Sequence, residues 1–254
     1  MGLQKGWNIV HKLVELAQIV LEVMDARFPH KTRCPRLEQL VTKQGKELIL
    51  CLNKADLVPR IVVEKWKKKL AREYPVVYTS ARDRLGTKIL RRLLQQMSRG
   101  EKCVVGIAGF PNTGKSSIIN ILKGHHSAPT AAMPGWTKHS QLYRLTETLM
   151  LYDSPGVLPF EGSIEDHALY GGFPIDKLED PLKLALKLLK KLQNKRPDLL
   201  LSHYQVSTSG EQFLADLARI RGRLLPGAIP NIEQVAKEFL RDFVDGKLVY
   251  WDDP

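Results

Sequence analysis

The sequence has few of the residues that define several protein classes. It contains only three cysteines in 254 residues, Cys34, Cys51 and Cys103, and they form neither a C-x-x-C pair nor a metal-binding spacing with histidine. The seven histidines form no ligand set either. These absences exclude a disulfide scaffold and a zinc finger. We expect the three thiols to be reduced and mostly buried.

Long apolar runs, repeats and low-complexity tracts are also absent. No segment approaches the roughly 18 apolar residues that a membrane-spanning helix requires. Charged residues interrupt the first 23 residues, which excludes a signal peptide or membrane anchor there. The hydrophobic content of 43% is that of a globular protein. We therefore predict a cytoplasmic protein, with one ordinary domain and a smaller second one.

Acidic residues are scarce in the first part of the chain. Residues 1–157 carry a net charge of +14, whereas residues 158–254 carry −2. A basic surface attracts the phosphate backbone of RNA at long range, which predicts a polyanionic partner. A solvated basic surface without a partner is the alternative. The densest basic positions are Lys65, Lys67, Lys68, Lys69, Arg82, Arg84, Lys88, Arg91, Arg92, Arg99 and Lys102.

Apolar segments bounded by turn signals alternate with helical patterns up to residue 152, as is typical of an α/β sheet. We expect strands at Ile19–Met24, Glu47–Leu52, Val76–Tyr78, Cys103–Ala108, Leu142–Leu145 and Thr148–Tyr152. We expect intervening helices at Asn8–Ala17, Cys34–Lys43, Val62–Glu73, Thr87–Arg99 and Lys115–Lys123. The rest of the chain is predicted to be helical at Pro181–Gln193, Gly210–Arg221 and Asn231–Asp242, with a short extended tail at Leu248–Tyr250. The predicted domains are residues 1–160 and a small, mainly α-helical domain of residues 161–254.

The segment Gly109-Phe-Pro-Asn-Thr-Gly114-Lys115-Ser116 fits the phosphate-binding pattern G-x-x-x-x-G-K-S/T. It lies between a predicted buried strand and a predicted helix, which is the context that the pattern requires. The backbone N–H groups of such a loop face phosphates, the lysine reaches the β and γ phosphates, and the serine hydroxyl binds Mg²⁺. We predict phosphate contacts at Asn112, Thr113, Gly114, Lys115, Ser116 and Ser117.

Two further segments complete the predicted phosphate and Mg²⁺ site. Asp153-Ser-Pro-Gly156 ends an apolar strand, where the carboxylate can hold the Mg²⁺ shell and the Gly156 N–H can meet the γ-phosphate. Thr137, in Pro134-Gly-Trp-Thr137, lies between the two motifs and is the natural hydroxyl ligand of Mg²⁺ in the triphosphate state. The predicted catalytic residues are Lys115, Thr137 and Gly156.

The segment Asn53-Lys54-Ala-Asp56 follows a buried strand and predicts guanine recognition. An aspartate at a strand end can accept both the N1–H and the N2–H₂ of guanine, two donors that adenine does not present together. Ser80-Ala81 follows the next strand, where a backbone N–H can meet the guanine O6 and Ser80 can steady the loop. We therefore predict GTP and GDP as ligands, rather than ATP.

The base segment precedes the phosphate segment, with Asn53 lying 62 residues before Lys115. In Ras-like GTPases the order is the reverse, so the same fold requires the old termini to be joined and new ones opened elsewhere. The segment Arg82–Lys102 is the expected joint. The predicted fold class is therefore α/β: a circularly permuted Ras-like P-loop G domain with a mostly parallel six-stranded sheet, followed by a small, mainly α-helical domain.

This order, together with GFPNTGKS, PGWT and DSPG, resembles the circularly permuted GTPases of the YlqF/YawG family. The early Asp25-Ala-Arg27 and the later Ile220–Arg223 and Phe239–Leu248 segments are also similar to that family. The alternative interpretation is that Asp25 and Arg27 simply cap or brace the end of the strand. The resemblance implies action in large ribosomal subunit assembly, with rRNA and the large subunit as partners. We expect a monomer that binds neither membrane nor DNA.

The chain departs from this family at two places that bear on hydrolysis. The Pro-Gly-His segment of bacterial members has no counterpart, so the chain is more similar to the archaeal and eukaryotic branch. Val157 stands where Ras-like proteins place a water-orienting glutamine, so slow intrinsic hydrolysis is expected. By resemblance to other GTPases that lack this glutamine, Asn112 is a candidate K⁺ ligand; a loop-bracing amide is the alternative.

Three functional interpretations follow from these motifs. The first is a GTP-hydrolysing ribosome assembly factor, and the second is a nucleotide-gated binding module with negligible turnover. A P-loop ATPase or kinase is the third, and Asn53 and Asp56 argue against it. A row of lysines on Pro181–Gln193, opposite Leu182, Leu186 and Leu189, is either an RNA contact or a solvated face. These lysines are Lys183, Lys187, Lys190 and Lys191.

Overall fold

The chain divides into two compact units. The computed structural model describes residues 3–123, 141–153, 158 and 162–254. The first unit comprises Met1–Glu161 with Trp251–Pro254, and the second comprises Gly162–Tyr250. The last four residues thus group with the first unit, whereas the boundaries expected from the sequence assigned them to the second.

Six strands form one sheet in the described part of the first unit. They are β1 (Ile19–Asp25), β2 (Glu47–Asn53), β3 (Val76–Tyr78), β4 (Cys103–Gly109), β5 (Gln141–Arg144) and β6 (Leu149–Asp153). Their spatial order is β3-β2-β1-β4-β6-β5, and β5 alone among these six runs antiparallel to its neighbour. The prediction of a mostly parallel six-stranded sheet is confirmed, and each strand lies within one residue of its expected bounds.

Helices cover both faces of this sheet. They are α1 (Leu3–Leu16), α2 (Pro29–Thr32), α3 (Pro35–Lys43), α4 (Arg60–Leu70), α5 (Thr87–Met97) and α6 (Lys115–Lys123). Apolar side chains of α1, α3 and α4 pack on one face, and those of α5 and α6 pack on the other. The central strands are therefore apolar on both faces, and every residue of β1 is buried.

The position of β4 shows the circular permutation. After β4, the chain continues to β5 and β6, which lie on one side of it in the sheet. The strands on the other side, β1, β2 and β3, precede β4 in the sequence, and residues 79–102 with α5 connect the two sets. Joining the ends of the chain and cutting in this connection restores the order in which the phosphate strand comes first. The predicted permuted P-loop fold is confirmed.

The second unit is mainly helical, as predicted. Its helices are α7 (Ile164–Leu169), α8 (Pro181–Lys195), α9 (Pro197–Tyr204), α10 (Gly210–Ile220) and α11 (Ile232–Val244). Leu224–Leu225 and Ile229–Pro230, which form β7 and β8, pair as a small hairpin. The rings of Tyr204, Phe213 and Phe239 meet in its core, with each pair of ring centroids 5.8 Å apart.

Three details of this unit differ from the expectation. Helices α7 and α9 were not predicted; α7 has only six residues, and Pro197, at the start of α9, reads as the end of the preceding helix. The expected extended tail at Leu248–Tyr250 is not a strand, although Leu248 and Tyr250 are buried. Of the apolar stripe predicted for α8, Leu189 is buried but Leu182 and Leu186 are half-exposed, so the prediction was wrong at those two positions. The buried face of α8 consists of Pro181, Leu184, Ala185, Leu188, Leu189 and Leu192.

Candidate nucleotide site

One edge of the sheet gathers the predicted motifs. Because β1, β2, β3, β4 and β6 are parallel, their carboxyl ends lie at the same edge. Asp25, Asn53, Gly109 and Asp153 end four of these strands, and Thr79 follows the fifth. In open α/β sheets this edge is where ligands bind.

The phosphate loop runs from Gly109 at the end of β4 to Lys115 at the start of α6. Asn112 and Gly114 adopt left-handed backbone conformations, with φ of 56° and 93°. The Thr113 hydroxyl donates a hydrogen bond to the Phe110 carbonyl oxygen at 2.9 Å, which closes the loop from inside. Ser116 and Ser117 are exposed in the first turn of α6, where the N–H groups of a helix face outward toward anions.

Gly114 is the position at which the loop tolerates no side chain. A Cβ there would lie 2.1 Å from Asn53 Nδ2, and the positive φ disfavours an L-residue as well. The backbone of the phosphate loop at Gly114 therefore lies directly against the Asn53 side chain at the end of β2. This close approach fits a ligand that spans both segments.

Asn53 joins the base segment to the phosphate loop. Its side chain is buried, with Nδ2 donating to the Thr113 carbonyl oxygen at 2.9 Å and Oδ1 accepting from the Thr79 hydroxyl at 3.2 Å. Both ends of the amide are thus used within the protein. The sequence predicted Asn53 as a nucleotide-binding residue, and the structure adds this bracing contact across the sheet edge.

Lys115 lies over the carbonyls of the loop that it follows. Its Nζ donates to the Gly109 and Phe110 carbonyl oxygens at 2.9 and 2.7 Å. Burial lowers the pKa of Lys115 to about 8, while the charge of Asp153 acts in the opposite direction. The Lys115 ammonium has lost much of its hydration. An anionic phosphate would therefore stabilise the charge of Lys115 more than it would stabilise the charge of an exposed lysine.

Ser116 and Asp153 supply the oxygen atoms that a hard cation prefers. Burial raises the pKa of Asp153, and the charges of Lys123 and Lys115 partly offset this. Within the described ranges, no group of three or more His, Cys, Asp or Glu side chains could hold a metal ion. A Mg²⁺ at this site would take its other ligands from phosphate oxygens and water, as is usual for this ion.

The base segment turns sharply at the end of β2. Lys54 has a φ of 61°, and a 3₁₀ turn at Ala55–Leu57 follows, with Asp56 exposed on it. The Ala55 N–H donates to the Thr79 carbonyl oxygen at 3.0 Å, so the end of β3 supports this turn. Asp56 is therefore accessible to a ligand at the edge where β2 and β3 end.

Ser80 and Ala81 occupy the neighbouring loop. Ser80 is fully buried; its hydroxyl accepts from the Asp83 N–H at 3.0 Å, and its backbone pairs with Leu85. Ala81 is half-exposed. Ser80 therefore stabilises its own loop, while Ala81 is the member of the pair that a ligand can approach.

Sequence reasoning missed the link between Asp25 and the base segment. The Asp25 carboxylate accepts from Arg27 Nε at 3.1 Å and Nη2 at 2.8 Å, and from Lys54 Nζ at 2.9 Å. Burial alone would raise the pKa of Asp25, but the charges of Arg27 and Lys54 hold it below its usual value. The bracing interpretation of Asp25 and Arg27 thus has direct contacts behind it. No local pattern connects residues 25 and 54, so only the tertiary structure shows this link.

Three predicted positions lie outside the described residues. These are Thr137, Gly156 and the hydrolysis-related Val157. Their assignments stay predictions.

Comparison with known proteins agrees with this geometry. A family model described as a 50S ribosome-binding GTPase matches residues 104–211. Among solved structures, GNP-bound YlqF from T. maritima superposes with a TM-score of 0.71, at 28% sequence identity and over 98% of both chains. The chain belongs to the circularly permuted GTPases of the YlqF/YawG family.

Relatives of this YlqF/YawG chain occur in archaea and eukaryotes. An uncharacterized GTP-binding protein of Methanocaldococcus jannaschii is 39% identical over 96% of this chain and 66% of its own length. Nucleolar GTP-binding protein 2 of Yarrowia lipolytica is 36% identical over 98% of this chain and 50% of its own length. The chain therefore spans between half and two thirds of the length of these curated relatives.

The basic positions of this YlqF/YawG chain lie largely on its surface. The densest basic positions of the sequence, which lie between Lys65 and Lys102, are all exposed except Lys67, which is half-exposed. Arg91 also donates to the Ile121 and Leu122 carbonyl oxygens, so it supports the end of α6. In the second unit, Lys183 and Lys187 lie 4.0 and 3.3 Å from Glu165. None of the described helices is both long and apolar enough to span a membrane.

Proposed function

We propose that the chain binds guanine nucleotides with Mg²⁺ and hydrolyses GTP to GDP and phosphate, acting as a nucleotide-dependent factor in large ribosomal subunit assembly. The observation that carries this proposal is the meeting of a phosphate loop and a base segment, joined through Asn53, at one edge of a permuted sheet. The family supports it, since its model is described as a 50S ribosome-binding GTPase and relatives are called nucleolar GTP-binding proteins. We propose that the chain acts in the cytoplasm, where it associates with ribosomal particles.

In this proposal the exposed Asp56 carboxylate accepts the N1–H and N2–H₂ of guanine, and the Ala81 backbone N–H meets O6. Asn112–Ser117 surround the phosphates with backbone N–H groups, and the Lys115 ammonium exchanges its two loop carbonyls for phosphate oxygens. Ser116, Thr137 and Asp153 would hold Mg²⁺. When bound, this ion neutralises charge that develops on the phosphates during transfer.

Hydrolysis is expected to be slow without a partner. Val157 has no polar group with which to orient water, so this work falls to backbone groups, to a ribosomal partner or to an added cation. We propose Asn112 as a K⁺ ligand, where the extra positive charge would stabilise the transition state. Its exposure is compatible with that function, and a loop-bracing amide at a left-handed position, which asparagine tolerates well, is the alternative function of this residue. Equal turnover in KCl and NaCl would contradict K⁺ activation.

A nucleotide-gated RNA- or ribosome-binding module with negligible turnover is the second candidate function, and Val157 is the observation that favours it. Measuring GTP hydrolysis with and without large ribosomal subunits distinguishes the two. Stimulation by subunits supports the assembly GTPase, whereas nucleotide-dependent binding without turnover supports the module. Co-sedimentation with ribosomal particles in the presence of a non-hydrolysable GTP analogue tests the partner that both share.

The base assignment has its own test. Asp56→Asn replaces an acceptor by a donor, so the variant should lose affinity for GDP and gain affinity for XDP, whose 2-oxo group accepts a hydrogen bond. Asn120→Ala, an exposed change on α6, serves as the control. GDP affinity unchanged in Asp56→Asn would show that guanine is not read at this turn.

A further inference from the structure

Asp25 is a buried carboxylate at the edge of the sheet where the nucleotide is proposed to bind, and the proposed chemistry does not use it. It ends β1, next to the strand that carries the base segment, and its side chain is only 6% exposed. A buried carboxylate persists only where charged or polar partners replace water. Those partners are Arg27, which bonds both carboxylate oxygens, and Lys54.

The bond from Lys54 acts on the residue at which the base segment changes direction. Lys54 carries a Cβ yet adopts a left-handed backbone conformation, which is unfavourable for such residues and needs support from its surroundings. Its ammonium is held 2.9 Å from Asp25 Oδ2. Because Lys54 directly precedes the turn bearing Asp56, fixing Lys54 also fixes the direction in which Asp56 points.

Arg27 is held in turn by the end segment of the chain. The Asp252 N–H donates to the Arg27 carbonyl oxygen at 2.9 Å, and the Trp66 indole N–H donates to the Asp252 carbonyl oxygen at 2.9 Å. The Arg27 N–H itself donates to Asp25 Oδ1 at 3.0 Å. Asp252, Arg27, Asp25 and Lys54 therefore form one connected network within the first unit.

We propose that Asp25 is a positioning residue for base recognition: the Arg27–Asp25–Lys54 network orients the turn that carries Asp56 and thereby sets selectivity for guanine. This inference rests on the proposed function, since it assumes that Asp56 reads the base. In this proposal, Asp25 and Arg27 do more than stabilise the end of β1. Substituting either residue should therefore change the preference between nucleotides, which the loss of a purely stabilising contact would not do.

The test compares GDP with IDP, which lacks the 2-amino group of guanine, in competition against a fluorescent GDP on the full chain. A hydrogen bond to a charged group corresponds to roughly tenfold or more in affinity, so the wild type should prefer GDP by at least about tenfold. Asp25→Asn keeps the side-chain size and removes the charge. We expect GDP affinity to fall about tenfold and IDP affinity, which depends on the N1–H contact alone, to fall less, so that the preference for GDP decreases by at least about threefold.

Glu38→Gln provides the matched control. Glu38 is also a buried carboxylate bonded to an arginine, through Arg33 Nε and Nη2, but it lies on α3 and its hydrogen bonds are to Arg33. The Glu38→Gln variant should lower the midpoint temperature of unfolding in the same way as Asp25→Asn. It should retain the wild-type preference for GDP. If Asp25→Asn does not fold, Arg27→Lys replaces it. That variant keeps a positive charge without the two-point contact, and its preference should fall at least about threefold.

The outcomes separate the two levels of the argument. A wild-type chain that binds GDP and IDP equally would refute the base site itself, and with it this inference. A wild type that prefers GDP, together with Asp25→Asn or Arg27→Lys variants that keep the full preference, would overturn only the positioning function. Loss of preference in Glu38→Gln as well would also overturn it, because general destabilisation would then explain the effect.

Discussion

The contact between Asn53 and the phosphate loop makes a quantitative prediction about stability. Asn53→Ala removes the donor to the Thr113 carbonyl oxygen and the acceptor for the Thr79 hydroxyl, both in a buried place. The Thr79 hydroxyl retains a second hydrogen-bonding neighbour, the Cys51 thiol at 3.4 Å. The main cost therefore comes from the Thr113 carbonyl oxygen, which loses the hydrogen bond from Asn53. A buried polar group left without a partner costs about 1–3 kcal/mol. With the lost packing, the free energy of unfolding should fall by about 2–4 kcal/mol.

Urea unfolding followed by tryptophan fluorescence measures this loss. All four tryptophans belong to the first unit, so the signal reports on the unit that holds Asn53. Asn120→Ala makes the same chemical change at an exposed position of α6 and should alter stability by less than about 0.5 kcal/mol. If Asn53→Ala costs no more than Asn120→Ala, the amide does not connect the two segments and our reasoning is refuted.

Three further predictions concern Gly114, Glu22 and Lys115. Gly114→Ala should cost about 2 kcal/mol more in unfolding free energy than Gly45→Ala, because both positions have positive φ but a Cβ clashes with Asn53 only at position 114; equal losses in urea unfolding would contradict the clash. Burial and the charge of Glu38 raise the pKa of the fully buried Glu22, so its stabilising contribution is complete at low pH and is lost as pH rises through that pKa. Glu22→Gln should therefore stabilise the chain at pH 8, by about 1.4 kcal/mol per unit of raised pKa, and have little effect near pH 4; urea midpoints that shift equally at both values would argue against it. At pH 8 about half of Lys115 is neutral in the free protein, so GDP binding should take up about half a proton in calorimetry across buffers of different ionisation enthalpy, and no uptake would show that its pKa is not lowered.

Local sequence patterns predicted most of the sheet and the order of the motifs. Each strand was placed within one residue because apolar runs between turn residues are local signals, and the phosphate loop was recognised from its spacing alone. The helix α4 begins at Arg60, two residues before its expected start, where the apolar pattern is blurred by the exposed Ile61. The helix α9 was hidden by Pro197, which reads as a stop signal although it also starts a new helix.

Contacts between distant residues were beyond such patterns. Asn53 meets Thr113 and Asp25 meets Lys54 because the sheet brings neighbouring strand ends together, and Asp252 meets Arg27 because residues 251–254 return to the first unit. The sequence left open whether Asp25 and Arg27 brace the strand end, since a carboxylate and a guanidinium two residues apart serve many purposes. Asn53 was assigned to the ligand because its motif indicates base recognition, and nothing local predicts that its amide is used on the neighbouring loop.

The return of Trp251–Pro254 to the first unit changes how the helical unit is connected. A domain that follows the last strand of another is attached by one covalent link, whereas the helical unit is an insertion with two. One link follows Asp153, on the side of the phosphates; the other leads to Asp252, which is bonded to Arg27 beside the base segment. The insertion is therefore tied to the first unit through both of its ends, and one of these attachments depends on the hydrogen bonds of Asp252. If the Asp252 bonds were released, the covalent link that follows Asp153 would remain, as in a domain that is appended after the last strand of another.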